Sequence, residues 1–168
     1  MNYKRKGFTI VELLIVIVVI AILAAITVVS YNGIKRRAED TARYADLVQV
    51  DRLIQLYRIQ NGRYPVTAAQ MTPEAIYCIG TGFPSGSCWT GISESDQSIT
   101  NELQTIGNVP NGRLAIKNFG THIWIKNSTT FELDGVFEDH TCPKNFEQTE
   151  IYPGHVQCIK EYSTTDAV

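Results

Sequence analysis

A single carboxylate stands at the edge of the longest apolar stretch of this chain, and it is the strongest chemical signal in the sequence. Glu12 follows Gly7-Phe8-Thr9-Ile10-Val11 and precedes an uncharged run over residues 13–29. A helix needs about 20 mostly apolar residues to cross a bilayer, and this stretch supplies them. An ionised carboxylate costs roughly 3 kcal/mol at mid-membrane and less near the edge. Glu12 therefore reads as a residue with a task. Three cations, Lys4, Arg5 and Lys6, stand before the stretch.

The other residues able to do chemistry are scattered. Cys78, Cys88, Cys142 and Cys158 all follow the apolar run, and an even count there suits an oxidising exterior. Four cysteines allow three pairings. The local one, Cys78 with Cys88 and Cys142 with Cys158, is preferred because each pair brackets a Gly/Pro turn region. A zinc site is the alternative, but the sequence has no CxxC pair and His122, His140 and His155 are dispersed. Asp134, Glu138 and Asp139 offer oxygen ligands for calcium at no recognised loop spacing, so a solvated acidic turn is the plainer reading. Asn127-Ser128-Thr129 is a glycosylation triplet and is read only as a hint of exposure. No phosphate-cradling glycine loop and no nucleophile elbow is present, so no cofactor, metal or catalytic group is expected.

These residues need a long helix and a small sheet to position them. From residue 31 to 60 there is no proline and one glycine, Gly33. Ile34, Ala38, Ala42, Ala45 and Val48 form one stripe at helical spacing, and Leu47, Val50, Ile54 and Tyr57 form a second. Asn61-Gly62 ends the pattern and Pro65 prevents its resumption. A helix over residues 8–60 would span about 80 Å. Residues 65–112 are Gly/Pro-rich and irregular, with Thr72-Pro73-Glu74 as one helix start and residues 98–106 as a short helix. Beyond Gly112 the pattern alternates: Leu114, Ile116 and Phe119, then Ile123 and Ile125, then Phe131, Leu133, Val136 and Phe137, then Val156, Cys158 and Lys160. That predicts three or four antiparallel strands packed on the outer half of the helix. The 168 residues allow one domain beyond the apolar helix, and 44% hydrophobic content suffices for its core.

The stretch Lys6-Gly7-Phe8-Thr9-Ile10-Val11-Glu12-Leu13-Leu14-Ile15-Val16-Ile17 resembles the N-terminus of type IV prepilins without a mismatch. Asn61-Gly62-Arg63-Tyr64-Pro65 resembles the end of the long helix in many pilins and pseudopilins. The resemblance covers the first quarter of the chain, and pseudopilins of type II secretion share it. It implies a leader, residues 1–7, cut by a prepilin peptidase between Gly7 and Phe8, with methylation of the new Phe8 amine. Glu12 becomes the fifth mature residue, an assembly residue pairing with a neighbouring subunit's amine. The Cys142–Cys158 loop resembles the C-terminal disulfide loop of many pilins. The chain departs from the family where Val29 and Ser30 stand: many pilins carry a helix-breaking proline there. Thr27-Val28-Val29-Ser30 has weak helix propensity, and Asn32-Gly33 is a candidate break.

The expected architecture is α+β, the pilin fold: a leader (1–7), a transmembrane and assembly helix (8–30) and a head (31–168) carrying the amphipathic half of the helix and an antiparallel sheet. The expected function is structural, a type IV pilus subunit whose helices bundle into a surface filament for adhesion, twitching motility or DNA uptake. Its implied partners are further copies of itself, the prepilin peptidase, the pilus assembly platform and, as precursor, the cytoplasmic membrane. A secretion pseudopilin is the alternative; a membrane-anchored enzyme or binding module is a third reading. Basic residues nearly balance across the apolar run, with Lys35-Arg36-Arg37 behind it, so the cysteines place the head outside. Removing the leader's three cations takes the net charge from −2 to −5, which gives no general attraction for nucleic acid.

Overall fold

The computed structural model describes residues 7–83, 86–89, 91–93, 95–115, 119–138 and 141–165. Lys4, Arg5, Lys6, Pro84, Ile116, Asp139 and His140 lie outside the described residues. The chain divides into two compact units, residues 1–38 and 39–168.

In the first unit the described structure is the start of one helix, α1 (Ile10–Asn61). Its large apolar side chains from Ile10 to Val28 are 48–83% exposed on every side. A helix apolar all round belongs inside a protein core or a bilayer, and none of the described residues of this unit covers it. Asn32-Gly33 does not break it: α1 continues through both residues.

In the second unit the rest of α1 lies on a sheet. Leu47, Val50, Leu53, Ile54 and Tyr57 are buried, while Ala45 is exposed and Ala42 and Val48 only half-buried. The second sequence stripe is thus the core stripe. The first stripe is not, because the sheet covers only one side of the helix. Gly62 accepts a left-handed φ of 68° and donates its N–H to the Arg58 carbonyl at 2.8 Å, closing the helix.

Five antiparallel strands form the main sheet in the order β1-β4-β5-β7-β6: β1 (Ile76–Cys78), β4 (His122–Ile125), β5 (Thr130–Phe137), β6 (Glu147–Tyr152) and β7 (His155–Ser163). Strands β2 (Ser87–Trp89) and β3 (Ile92–Ser93) form a separate hairpin, and α2 (Ser98–Gln104) completes the elements. Four of the five lie beyond Gly112, within the three or four strands predicted there; β1 comes from the stretch read as irregular, and β6 carries no alternating signal. Leu114 makes only an isolated bridge to Gly120. Thr72-Pro73-Glu74 starts no helix. Glu74 sits at a φ of 67°, outside the helical region, and donates its N–H to the Ile125 carbonyl at 2.8 Å, leading the chain into β1.

On β5, Phe131, Leu133 and Phe137 join the core with the α1 stripe, and Gly135 lies where an added Cβ would stand 3.0 Å from Leu47. Glu132, Asp134 and Val136 take the opposite face by the two-residue period. Lys160 and Tyr162 of β7 both donate to Asp51 of α1, Lys160 at 2.7 Å. Helix and sheet are also tied at Asp40, which is fully buried. Its carboxylate accepts from Arg43 at 2.5 and 3.1 Å and from the Glu138 N–H at 3.0 and 3.2 Å.

Candidate assembly site at the start of the long helix

Thr9, Ile10, Val11 and Glu12 build the first turn of α1. The Thr9 carbonyl accepts the Leu13 N–H at 3.3 Å, the first bond of the helix. The Glu12 Oε2 accepts both the Thr9 N–H at 2.7 Å and the Thr9 hydroxyl at 2.8 Å. The Glu12 N–H points back to the Thr9 Oγ1 at 3.3 Å. This is a capping box, Thr-x-x-Glu, in which two residues satisfy each other's orphan groups at a helix N-terminus. The helix dipole adds a favourable field for the carboxylate. Glu12 therefore has a local partner, Thr9, within its own chain. Sequence reasoning missed Thr9, although the four-residue capping pattern was there to be read.

A Cβ added to Gly7 would meet nothing within 4 Å, and Phe8 is 82% exposed. An amine on Phe8 would sit about one helical turn from Glu12. Two opposite charges so placed in low dielectric attract strongly, and each is costly alone.

The remaining candidates sit in the head. Cys78 is bonded to Cys88 and Cys142 to Cys158, with Cα–Cα separations of 5.4 Å in each. His122 is buried on the sheet face away from α1, with Nδ1 2.9 Å from the Gly120 carbonyl and Nε2 3.3 Å from Asp134. The Trp89 ring stands over it, 4.7 Å between centroids. His155 turns back on the Pro153 carbonyl at the β6–β7 hairpin. Glu138 serves Arg43 at 3.7 Å. Asn127 accepts the N–H and hydroxyl of Thr129, both at 2.9 Å, on an exposed turn. Among the described residues no three His, Cys, Asp or Glu side chains converge on a metal-sized site. The electrostatics of the head are those of packing. A hydrogen bond from the Tyr57 hydroxyl holds the Glu102 carboxyl below its usual range, helped by Arg63 at 3.2 Å. Burial pushes Asp46 and Glu132 up, against the pull of Arg113 and Lys126.

An exposed apolar helix with a capped carboxylate in its first turn, followed by a disulfide-bonded helix-and-sheet head, defines a prepilin-type subunit. Comparison with known proteins agrees. Residues 2–28 match the family described as "Prokaryotic N-terminal methylation motif". The chain is 30% identical over 121 residues to the Type IV wide pilus major component PilA4 of Thermus thermophilus, covering 58% of this chain and 92% of that one. It is 34% identical over 66 residues to the Type II secretion system core protein G of Pectobacterium carotovorum, covering 39% and 42%. For the core protein G of Klebsiella michiganensis the figures are 31% over 89 residues, 48% and 63%. The chain thus spans about 42% of the first of the core G relatives' length. No solved structure matches. The chain belongs to the type IV pilin and pseudopilin superfamily.

Proposed function

We propose that this chain is a structural subunit of a type IV pilus and has no catalytic activity of its own. The observation that carries this reading is coverage: the match extends over 92% of a pilus major component and 58% of this chain. The matched methylation motif supports a precursor cut between Gly7 and Phe8 by a prepilin peptidase and methylated on Phe8. Residues 8–30 then hold the subunit in the cytoplasmic membrane, with residues 31–168 as the head outside.

In the membrane pool Thr9 caps Glu12 and keeps its Oε2 bonded. At the fibre base, an incoming subunit brings a positive Phe8 amine against the Glu12 of a subunit already in place. Glu12 exchanges the Thr9 N–H and hydroxyl for that amine. The exchange favours one axial register, since both charges are buried among apolar helices and only one offset pairs them. Exposed side chains from Ile10 to Val28 then bury against one another in the fibre core. The assembly platform drives extraction from the bilayer.

The test is Glu12→Ala beside Glu12→Gln, with immunoblots of membrane and sheared-fibre fractions. Both variants are expected in the membrane at normal level with fibres blocked or severely reduced. Normal fibre yield from Glu12→Ala would refute the docking role. The identity to secretion core proteins G keeps a pseudopilus subunit as the second reading. Deletion separates the two: loss of long surface fibres supports the pilus, and loss of secretion with fibres intact supports the pseudopilus.

A further inference from the structure

Immediately after the apolar part of α1 come Tyr31, Asn32, Gly33, Ile34 and then three cations, Lys35, Arg36 and Arg37, the last three all exposed. The cations occupy successive helix positions, each turned about 100° from the last, so they form a collar around the helix instead of a stripe on one face. Tyr31, 67% exposed, stands one turn before Lys35.

Spacing gives this collar a place. Glu12 to Arg36 is 24 helical residues, or about 36 Å, and Phe8 to Arg36 is about 42 Å if the first residues are helical. The hydrocarbon of a bilayer is about 30 Å thick and the whole bilayer with headgroups about 40–45 Å. With Glu12 near one boundary of the hydrocarbon, residue 32 falls near the other, and residues 35–37 fall among the phosphates beyond it. Aromatic rings concentrate at the boundary and long cationic side chains reach outward from it, which matches the order Tyr31 then Lys35.

We propose that Lys35, Arg36 and Arg37 bind the headgroup phosphates of anionic phospholipids in the leaflet facing the head, and so set the depth at which the subunit waits in the membrane. The inference rests on the proposed membrane-spanning reading of α1. Charge complementarity selects the partner: three exposed cations lie at phosphate depth, and Arg forks and Lys ammonium groups are both suited to phosphate oxygens. A subunit drawn into a fibre must leave these contacts. The anionic lipid content of that leaflet therefore tunes how readily subunits are extracted, by about fivefold per cation.

The full-length chain is reconstituted in vesicles of phosphatidylcholine alone and of three parts phosphatidylcholine to one part phosphatidylglycerol, at matched ionic strength. Vesicles are floated after an alkaline wash. Lys35 is then acylated with a membrane-impermeant amine reagent and read by mass spectrometry against Lys144, an exposed head lysine on the same side of the membrane. The expected result is labelling of Lys35 reduced about fivefold by phosphatidylglycerol, with Lys144 unchanged. The reduction should shrink by at least half in an Arg36→Gln/Arg37→Gln variant. Equal Lys35 labelling in the two vesicles overturns the proposal, and so does equal protection by soluble phosphate over phosphatidylcholine. A chain that fails to float after the wash overturns the membrane-spanning reading itself.

Discussion

Asp40 offers the sharpest test of how the head is held together. It is fully buried, and its carboxylate takes the Arg43 guanidinium at 2.5 Å and the Glu138 N–H at 3.0 Å. Asp40→Ala leaves a buried cation and an orphan backbone donor. Breaking a buried pair by removing one partner costs about 3–5 kcal/mol. Arg43 keeps the Leu114 carbonyl at 2.8 Å and Glu138 at 3.7 Å, which argues for the lower end, about 3 kcal/mol. In a domain of ordinary stability that lowers Tm by roughly 10 °C. The double variant Asp40→Ala/Arg43→Met removes both charges and should recover at least half the loss, because the uncompensated cation is gone. Thermal and denaturant unfolding of the full chain in detergent, followed by circular dichroism, gives both numbers. A single-variant cost below about 1 kcal/mol, or a double variant no better than the single, would refute the argument that charge compensation holds this junction.

Gly112→Ala should destabilise by about 1–3 kcal/mol, because an added Cβ would meet the buried Phe83 ring at 2.4–2.6 Å; denaturant midpoints check it. Non-reduced peptide maps should give Cys78–Cys88 and Cys142–Cys158 peptides, and a Cys88–Cys142 peptide would contradict the fold. Glu102 has its carboxyl lowered from the usual 4.5 by the Tyr57 hydroxyl. Its contribution to stability is therefore present above pH 4.5 and lost as pH falls through the folded value. Glu102→Gln should flatten the acid limb of the stability profile, and an unchanged limb would show that the bond is not formed.

The long helix was legible because its signals are local. Leu47, Val50, Ile54 and Tyr57 repeat at helical spacing, and Asn61-Gly62 stops the pattern. Which of two stripes faces the core was not, since Ala42, Ala45 and Val48 also repeat and only the sheet's position decides. Strand β6 reads Glu147-Gln148-Thr149-Glu150-Ile151-Tyr152 and is largely exposed at the sheet edge, so it carries no alternation to find. Strand β1 has three residues and owes its existence to β4, whose His122 pairs with its Cys78 across 44 positions of sequence. His122 lies on the face opposite Ile123 and Ile125 and is still buried, because Trp89 stands over that face. Glu12 was found from the charge it places in apolar sequence. Its partner Thr9 was not legible from that charge, since the cap depends on the geometry of the first helical turn and not on the apolar run.

The central claim is that this chain is processed at Gly7 and built into a surface filament. Mass spectrometry of sheared, purified fibres tests both halves at once. The expected fibres contain this chain with its N-terminal peptide beginning at N-methylated Phe8. Fibres that lack the chain, or a chain that still carries Lys4-Arg5-Lys6, would contradict it.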